Sequence, residues 1–300
     1  MKGMILAAGL GTRLRPLSYE LPKPIVPVLG RPLCSYNMEF LSRSGVKAFV
    51  MNLHRQPKLI QQRVAGWAGR KLPVDYTAGD FLKEGTFVTA NSDTVVRFPF
   101  ASALAFHREK RALATLVLFP DPDRRYTPVR IDEEGRIAGF GAAAGGSRSG
   151  FYTGFQIVEP DLLREIPPGP SCIVRETYRR LAAGGAPLFG FLSSGTFREF
   201  GSPSDYLRET LALLSENPGG KAGRSPGPSE FAIDPPVFVS PRAKIAAGAR
   251  IGPEAVIEEG AVVKEGASVT RAILWPEAVL GQGQEIRQAI LTPRRRIDIS

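Results

Sequence analysis

Two cysteines and two histidines are all that the 300-residue chain holds of the residues that most often build disulfides and zinc sites. Cys34 and Cys172 stand far apart and form no Cys-x-x-Cys pair, so neither a disulfide framework nor a zinc site is indicated, and both are expected to be buried thiols. No apolar run approaches the ~20 residues that a membrane span requires. The stretch from Met4 to Leu10 is interrupted at Gly9 and again at Gly11, which also makes it a poor secretory signal, and the chain reads as cytoplasmic with no membrane partner. There is no long run of one charge sign and no biased tract, which excludes collagen-like, mucin-like and disordered classes.

What is present is an ordinary globular composition, 43% hydrophobic and 23% charged, in a length that fits two domains at ~150 residues each. The formal charge is +10. Residues 236–300 hold 9 basic and 7 acidic side chains, a net of +2, so residues 1–235 carry the remaining +8. No basic helix interleaved with aromatics occurs, and Arg294-Arg295-Arg296 is too short a run to indicate nucleic acid. Small phosphorylated substrates account for the excess equally well.

Periodicity predicts a strand over Lys2 to Ala8, a helix over Arg31 to Ser44, a strand over Val46 to Leu53 and a helix over Pro57 to Ala68, the alternation of a parallel sheet. Further strands are expected at Val74 to Tyr76, Thr86 to Ala90, Ala114 to Phe119, Tyr152 to Val158 and Pro187 to Leu192. Helices are expected near Phe100 to Lys110, Ile173 to Ala183 and Pro203 to Ser215. The first region is therefore α/β. The Pro-, Gly- and Ser-rich stretch after it favours turns and buries almost nothing, which divides the chain into 1–216, a linker 217–235, and 236–300.

In the last region a period of six emerges. Val239, Ile245, Ile251, Ile257, Val263 and Val269 are all β-branched, and Ala243, Ala249, Ala255, Ala261 and Ala267 recur four residues after the first five, with glycines at turn positions. Six is incompatible with a helical 3.6 repeat and fits a triangular coil in which each side turns one branched residue inward and a small residue sits at each corner. Short antiparallel strands with glycine turns are the alternative.

The segment that carries chemistry opens the chain: Leu6-Ala7-Ala8-Gly9-Leu10-Gly11-Thr12-Arg13-Leu14-Arg15-Pro16, then Pro22-Lys23-Pro24. Glycines at a strand end let the backbone approach a phosphate, and successive amides in such a turn form an anion-binding concavity. Arg13, Arg15 and Lys23 add positive charge. A Rossmann dinucleotide site would want a third glycine and an immediate helix, which Pro16 argues against. Asp93 follows the apolar run Thr86 to Ala90 and so belongs at the carboxyl end of a strand, where open α/β sheets place ligands; capping a turn is its alternative role.

These residues resemble the signature of the sugar-1-phosphate nucleotidyltransferases, Leu-Ala-Ala-Gly-x-Gly-Thr-Arg-Leu-x-Pro followed by Pro-Lys-Pro, and Ser18 is a small departure. The resemblance continues through Asn52-Leu53-His54, Asn91-Ser92-Asp93, Tyr152-Thr153-Gly154 and Arg198-Glu199-Phe200-Gly201-Ser202-Pro203, and so covers most of residues 1–215. A mannose-1-phosphate guanylyltransferase-like branch of that family also carries a C-terminal hexapeptide coil. The resemblance implies a Rossmann-like nucleotidyltransferase domain with a mostly parallel mixed sheet, followed by a short left-handed parallel β-helix. It also implies Mg²⁺-dependent transfer of a nucleotidyl group from an NTP to a sugar 1-phosphate, giving an NDP-sugar, with GDP-mannose preferred and uridylyl or thymidylyl transfer to another sugar as the alternative. By the same resemblance Arg13, Lys23 and Asp93 are catalytic, and Leu6, Ala7, Ala8, Gly9, Gly11, Thr12 and Arg13 bind the nucleotide. Thr153 and Gly154 then bind the sugar phosphate, and Asp93 and Glu199 bind Mg²⁺, Glu199 standing where the family has Asp.

Two intervals depart from the family pattern. Thr77 to Gly85 is expected to be too short for a parallel crossover and to leave out one wall of a nucleotide pocket, since only Ala78-Gly79-Asp80-Phe81-Leu82 resembles the family's loop. After Gly139-Phe140, where many relatives carry Glu-Lys-Pro, the chain reads Gly141-Ala142-Ala143-Ala144-Gly145-Gly146 and lacks that cation. A non-catalytic nucleotide-sugar-binding subunit is therefore the competing function. Acyl transfer is disfavoured because His54 and His107 both precede the coil, which is expected to serve stacking or assembly into a homo-oligomer.

Overall fold

The computed structural model describes residues 1–68, 72–76, 80–141, 148–169, 171–216 and 231–299. Contacts divide the chain into two compact units that do not follow chain order: Met1–Gly9 with Cys34–Arg198, and Leu10–Leu33 with Glu199–Ser300.

The first unit is built on a mixed sheet whose central strand is Lys2–Leu6. It pairs in parallel with Ala48–Asn52 on one side and Phe87–Asn91 on the other, and Val74–Asp75 continues the parallel set beyond Ala48–Asn52. The long strand Arg148–Val158 runs antiparallel to Phe87–Asn91 and to Ala114–Phe119, which pairs in parallel with Leu188–Leu192. Ala114–Phe119 is buried at every residue, as an unbroken apolar run in the middle of a covered sheet should be. The helix Pro57–Ala68 matches its expected span, with proline at its first position and Ile60, Val64 and Ala68 forming the buried stripe.

Ala114–Phe119 also matches its expected span, and the remaining expected elements are present with shifted ends. The helix expected from Arg31 begins only at Ser35, because Arg31–Pro32 pairs with Pro27–Val28 in a hairpin whose turn residues, Leu29 and Gly30, both adopt positive φ. Ile173 to Ala183 divides into a wide turn, Ile173–Tyr178, and the helix Arg179–Ala183. Strands Thr94–Arg97 and Thr196–Glu199, which pair with each other, and the antiparallel pair Pro128–Ile131 and Ile137–Phe140 are not among the strands expected from the sequence; each is only four residues long, too short a window for periodicity to mark. Cys34 is buried, but Cys172 is only partly so, which corrects the expectation of two buried thiols.

The expectation that the short connection forbids a parallel crossover is also corrected. Val74–Asp75 and Phe87–Asn91 belong to one parallel set, with two strands between them. Crossing three strand spacings is about 14 Å, and returning along a five-residue strand about 17 Å. The roughly eleven residues from Tyr76 to Thr86 can reach about 36 Å, so no helix is needed. Leu82 is buried and Phe81 partly buried against the cluster of Val50, Phe87, Leu116 and Tyr178, covering the sheet where a helix would otherwise lie. Thr77, Ala78 and Gly79 lie outside the described residues, as do 142–147 and most of the linker, 217–230.

In the second unit the chain beyond residue 231 winds in stacked turns. Val237 pairs in parallel with Ala255, Lys244 with Val262 and Arg250 with Ser268, an offset of one eighteen-residue turn; Ala255 with Ala272 and Val262 with Val279 show the next turn one residue shorter. Ile251, Ile257, Val263 and Val269 are buried in one core with Ala249, Ala255, Ala261 and Ala267. The antiparallel strand Arg296–Asp298 closes the far end against Glu285–Leu291.

Candidate functional site

In the first unit the residues singled out from the sequence gather at the ends of the parallel strands. Lys2–Leu6 runs directly into Ala7-Ala8-Gly9, and the Ala7 amide donates to Asn52 Oδ1 at 2.8 Å, so one amide of the loop is committed to holding the loop in place. A Cβ built on Gly9 would meet nothing within 4 Å and its φ is ordinary, so no contact in the protein requires glycine there. Asp93 sits, as expected, just past a strand end, in the bend between Phe87–Asn91 and Thr94–Arg97.

That bend is fixed by a residue that sequence reasoning missed. Asn37, fully buried on the helix Ser35–Arg43, donates from Nδ2 to the carbonyls of Asn91 (3.0 Å) and Thr94 (2.8 Å), and its Oδ1 accepts from the Val96 amide. The available signal was a carboxamide on an otherwise core-facing helix surface, which has to find partners for all its polar atoms. Gly154 also serves the bend. Its φ is +85° and a Cβ there would collide with the Asn91 carboxamide. Thr153 is buried and its hydroxyl donates to the Val117 carbonyl at 2.9 Å, where the pairing of Arg148–Val158 with Ala114–Phe119 shifts register. Thr153 and Gly154 thus each have a structural task.

The second unit holds Gly11, Thr12, Arg13, Lys23 and Glu199. Gly11 has φ +64°, the left-handed region that glycine occupies without cost, and starts a single 3-10 turn, Thr12–Leu14, in which the Leu14 amide bonds the Gly11 carbonyl. A Cβ on Gly11 would lie 3.3 Å from Lys23 Cβ and 3.5 Å from Ser18 Cβ, so the glycine lets the Pro-Lys-Pro segment close onto the loop. Lys23 itself is 7% exposed, and Pro22 and Pro24 on either side restrict its backbone.

Arg13 and Glu199, a candidate cation and a candidate metal ligand, are paired with each other, Nη2 to Oε1 at 2.8 Å. Arg13 is 71% exposed along its side chain, so the pair is solvent-screened and its net stabilisation is small. Gly201 keeps the space beside it open, since a Cβ there would crowd Asp205 and Glu199. The helix Pro203–Glu216 then begins with a reciprocal cap: Ser202 Oγ donates to Asp205 Oδ2 at 2.7 Å and accepts the Asp205 amide at 3.1 Å. Burial pushes the Asp205 carboxyl up, but the Ser202 hydroxyl and the Arg208 guanidinium together hold it below its ordinary range.

Among the described residues no three His, Cys, Asp or Glu side chains cluster as a metal site. Mg²⁺ is held through one or two carboxylates together with substrate phosphates, so a cluster of three protein ligands is not required of the expected Mg²⁺ residues, of which Asp93 lies in the first unit and Glu199 in the second. No described helix is long and apolar enough to cross a membrane.

Comparison with known proteins bears on both parts of the chain. Residues 2–70 match the family described as Nucleotidyl transferase, and residues 233–299 match the GMPPB C-terminal domain. A mannose-1-phosphate guanyltransferase of Yarrowia lipolytica is 29% identical over 82% of this chain and 73% of its own length. The catalytic subunit beta of the Dictyostelium discoideum mannose-1-phosphate guanylyltransferase is 31% identical over 69% of this chain, which spans 63% of that relative. A UTP–glucose-1-phosphate uridylyltransferase of Synechocystis is 24% identical over 99% of the chain and 89% of the relative. In fold, the crystal structure of HddC from Yersinia pseudotuberculosis is similar with a TM-score of 0.59 at 20% identity, covering 71% of this chain and 99% of that one.

Proposed function

The chain belongs to the sugar-1-phosphate nucleotidyltransferase family, and from that premise we propose that it is a Mg²⁺-dependent enzyme that transfers a nucleotidyl group from an NTP to a sugar 1-phosphate. The phosphate oxygen of the sugar 1-phosphate attacks the α-phosphorus, the bond to the bridging oxygen breaks, and pyrophosphate leaves with that oxygen. Both reactants are anions, so the protein's task is to offset their repulsion and hold the attack in line. Lys23 and Arg13 are the cations assigned to it.

The observation that carries the reading is the closure of Lys23 onto Gly11: a nearly buried lysine, held between two prolines against a left-handed glycine, suits phosphate better than a solvated surface charge does. Gly9 adds support, because an alanine would fit the protein there and only something approaching the backbone from outside makes use of the missing methyl. Leu6, Ala7, Ala8 and Thr12 complete the nucleotide-binding assignment, with Thr153 and Gly154 on the sugar phosphate. Asp93 and Glu199 are the residues that would hold Mg²⁺, whose charge would draw electron density from the phosphates. Arg13, paired with Glu199 in this structure, would exchange that carboxylate for phosphate.

GTP and mannose 1-phosphate are the preferred substrates, because relatives aligned over more than two thirds of the chain are named mannose-1-phosphate guanylyltransferases. Uridine and glucose are the second choice, supported by the Synechocystis alignment along nearly the whole chain. The C-terminal turns are assigned a left-handed winding, with assembly into a homo-oligomer, and the cytoplasm is the assigned location. Pyrophosphate release measured with each NTP against a panel of sugar 1-phosphates tests the activity. Turnover with GTP and mannose 1-phosphate, abolished in Asp93→Ala, is expected. No turnover with any pair at millimolar Mg²⁺, together with calorimetric binding of an NDP-sugar, would replace the enzyme with a binding subunit.

A further inference from the structure

The segment that carries Lys23 is fastened to the carboxy-terminal coil on both sides of the lysine. Three residues before it, Glu20, whose side chain is 7% exposed, accepts the Thr292 hydroxyl at 2.8 Å and Arg295 Nε at 2.9 Å. Four residues after it, the Pro27 carbonyl accepts the Tyr206 hydroxyl, which in turn accepts the Trp275 indole N–H at 2.9 Å. Tyr206 and Trp275 are fully buried, and their rings meet edge to face with centroids 6.2 Å apart. A third attachment lies just beyond. Both oxygens of Glu258, itself 1% exposed, accept the Gly30 amide at 3.0–3.1 Å, and the Phe238 ring covers the space where a Gly30 Cβ would go.

A coil that served only to stack or assemble would have no reason to aim a buried indole N–H and a buried carboxylate at this one segment, or to share with Glu20 a threonine hydroxyl that also accepts the Arg294 and Arg295 amides of its own turn. Buried polar groups are costly unless each meets its partner, and here the partners flank the one buried lysine of the glycine-loop segment. We propose that the coil positions Lys23 for the reaction, with Thr292 and Trp275 as positioning residues that act through Glu20 and through Tyr206 and Pro27. Of Lys23, Thr292 and Trp275, only Lys23 would touch phosphate. This rests on the phosphate-binding reading of Lys23 given above, and the test separates the two.

The variants are Thr292→Val, which keeps the shape and loses the hydroxyl, Thr292→Ser, which restores it, and Trp275→Phe, which keeps an aromatic ring and loses the N–H. In the full-length chain, Lys23 acylation by an N-hydroxysuccinimide acetate is followed by peptide mass spectrometry, beside kcat and KM for NTP and the urea midpoint. The expected result is faster labelling of Lys23 in Thr292→Val and Trp275→Phe. A kcat about tenfold lower should accompany it, at an NTP KM within about twofold of the parent, since a small misplacement at the reacting centre costs rate. Thr292→Ser should recover both. Unchanged labelling in the two variants overturns the proposal, as does a kcat loss that Ser does not recover, or one that only follows the fall in urea midpoint. A parent chain without turnover overturns the catalytic reading alone, and Lys23 labelling then still decides whether the coil holds the lysine.

Discussion

Replacing the two loop glycines one at a time separates what the fold needs from what a ligand needs. In Gly11→Ala the new methyl sits at φ +64°, which costs an L-residue roughly 1–2 kcal/mol, and it lies 3.3 Å from Lys23 Cβ, so Lys23 has to give by a few tenths of an ångström. Reduced freedom of the unfolded chain returns about 0.4–1 kcal/mol. The net cost is therefore about 1 kcal/mol, or a Tm lower by about 2–4 °C in a chain of this order of size. Gly9→Ala meets neither penalty, having open space and ordinary φ, and its melting temperature should equal or slightly exceed that of the parent. Its activity should nonetheless fall by at least about tenfold, because a methyl then stands where the proposed phosphate approaches the backbone. Scanning calorimetry beside the pyrophosphate assay reads both. A Gly9→Ala chain with parental kcat and KM would refute the argument that a ligand uses that space, and a Gly11→Ala chain with unaltered Tm would refute the account of Gly11.

Three further outcomes follow from buried groups. Asn37→Leu fills a similar volume but strips partners from the Val96 amide and from the Asn91 and Thr94 carbonyls, so unfolding free energy should drop by at least about 3 kcal/mol in urea titrations, and a loss under about 1 kcal/mol would contradict the assignment. Gly154→Ala combines a positive φ with a collision at Asn91, and should lower stability by more than Gly11→Ala does in the same titration. Glu258 is pushed up to about 7 by burial, against the pull of the Gly30 and Leu29 amides and with a further push from Glu259. Its folded pKa exceeds the unfolded value of 4.5, so the folded state binds its proton more tightly and this contribution is full below about pH 4.5 and lost as pH rises through 7. It amounts to about 3 kcal/mol at most. Glu258→Gln should flatten the stability profile between about pH 4.5 and 7, and parallel profiles for the two chains would show that the carboxyl does not titrate there.

The parts of this protein legible in its sequence are those whose pattern is local. The six-residue spacing of Ile251, Ile257, Val263 and Val269 announced a shared core because each side of the coil repeats the same demand on its own residues. The helix Pro57–Ala68 was legible for the same reason. Thr94–Arg97 and Thr196–Glu199 were not, since each is a strand only by virtue of a partner about a hundred residues away. Around the candidate site, Asp93 could be placed at a strand end by the run before it, but the clamp on it, Asn37, lies in a helix that looks like any half-buried helix until its carboxamide is seen spanning Asn91 and Val96. The crossover rule failed at Tyr76 to Thr86 because it counts the length of a helix, and Phe81 and Leu82 do the helix's covering in two residues.

The pairing of residues 10–33 with residues 199–300 has a consequence for how the protein is made. A ribosome adding about 5–20 residues per second takes roughly ten to thirty seconds to travel from the end of the early segment to the start of its later partner. Through that interval Leu14, Leu17, Val26 and Val28, all sealed from water in the finished molecule, have no counterpart to fold against. The nascent chain must carry a greasy, lysine-bearing loop unpaired until its last hundred residues emerge, and a chain released early would keep that loop open to chaperones and proteases.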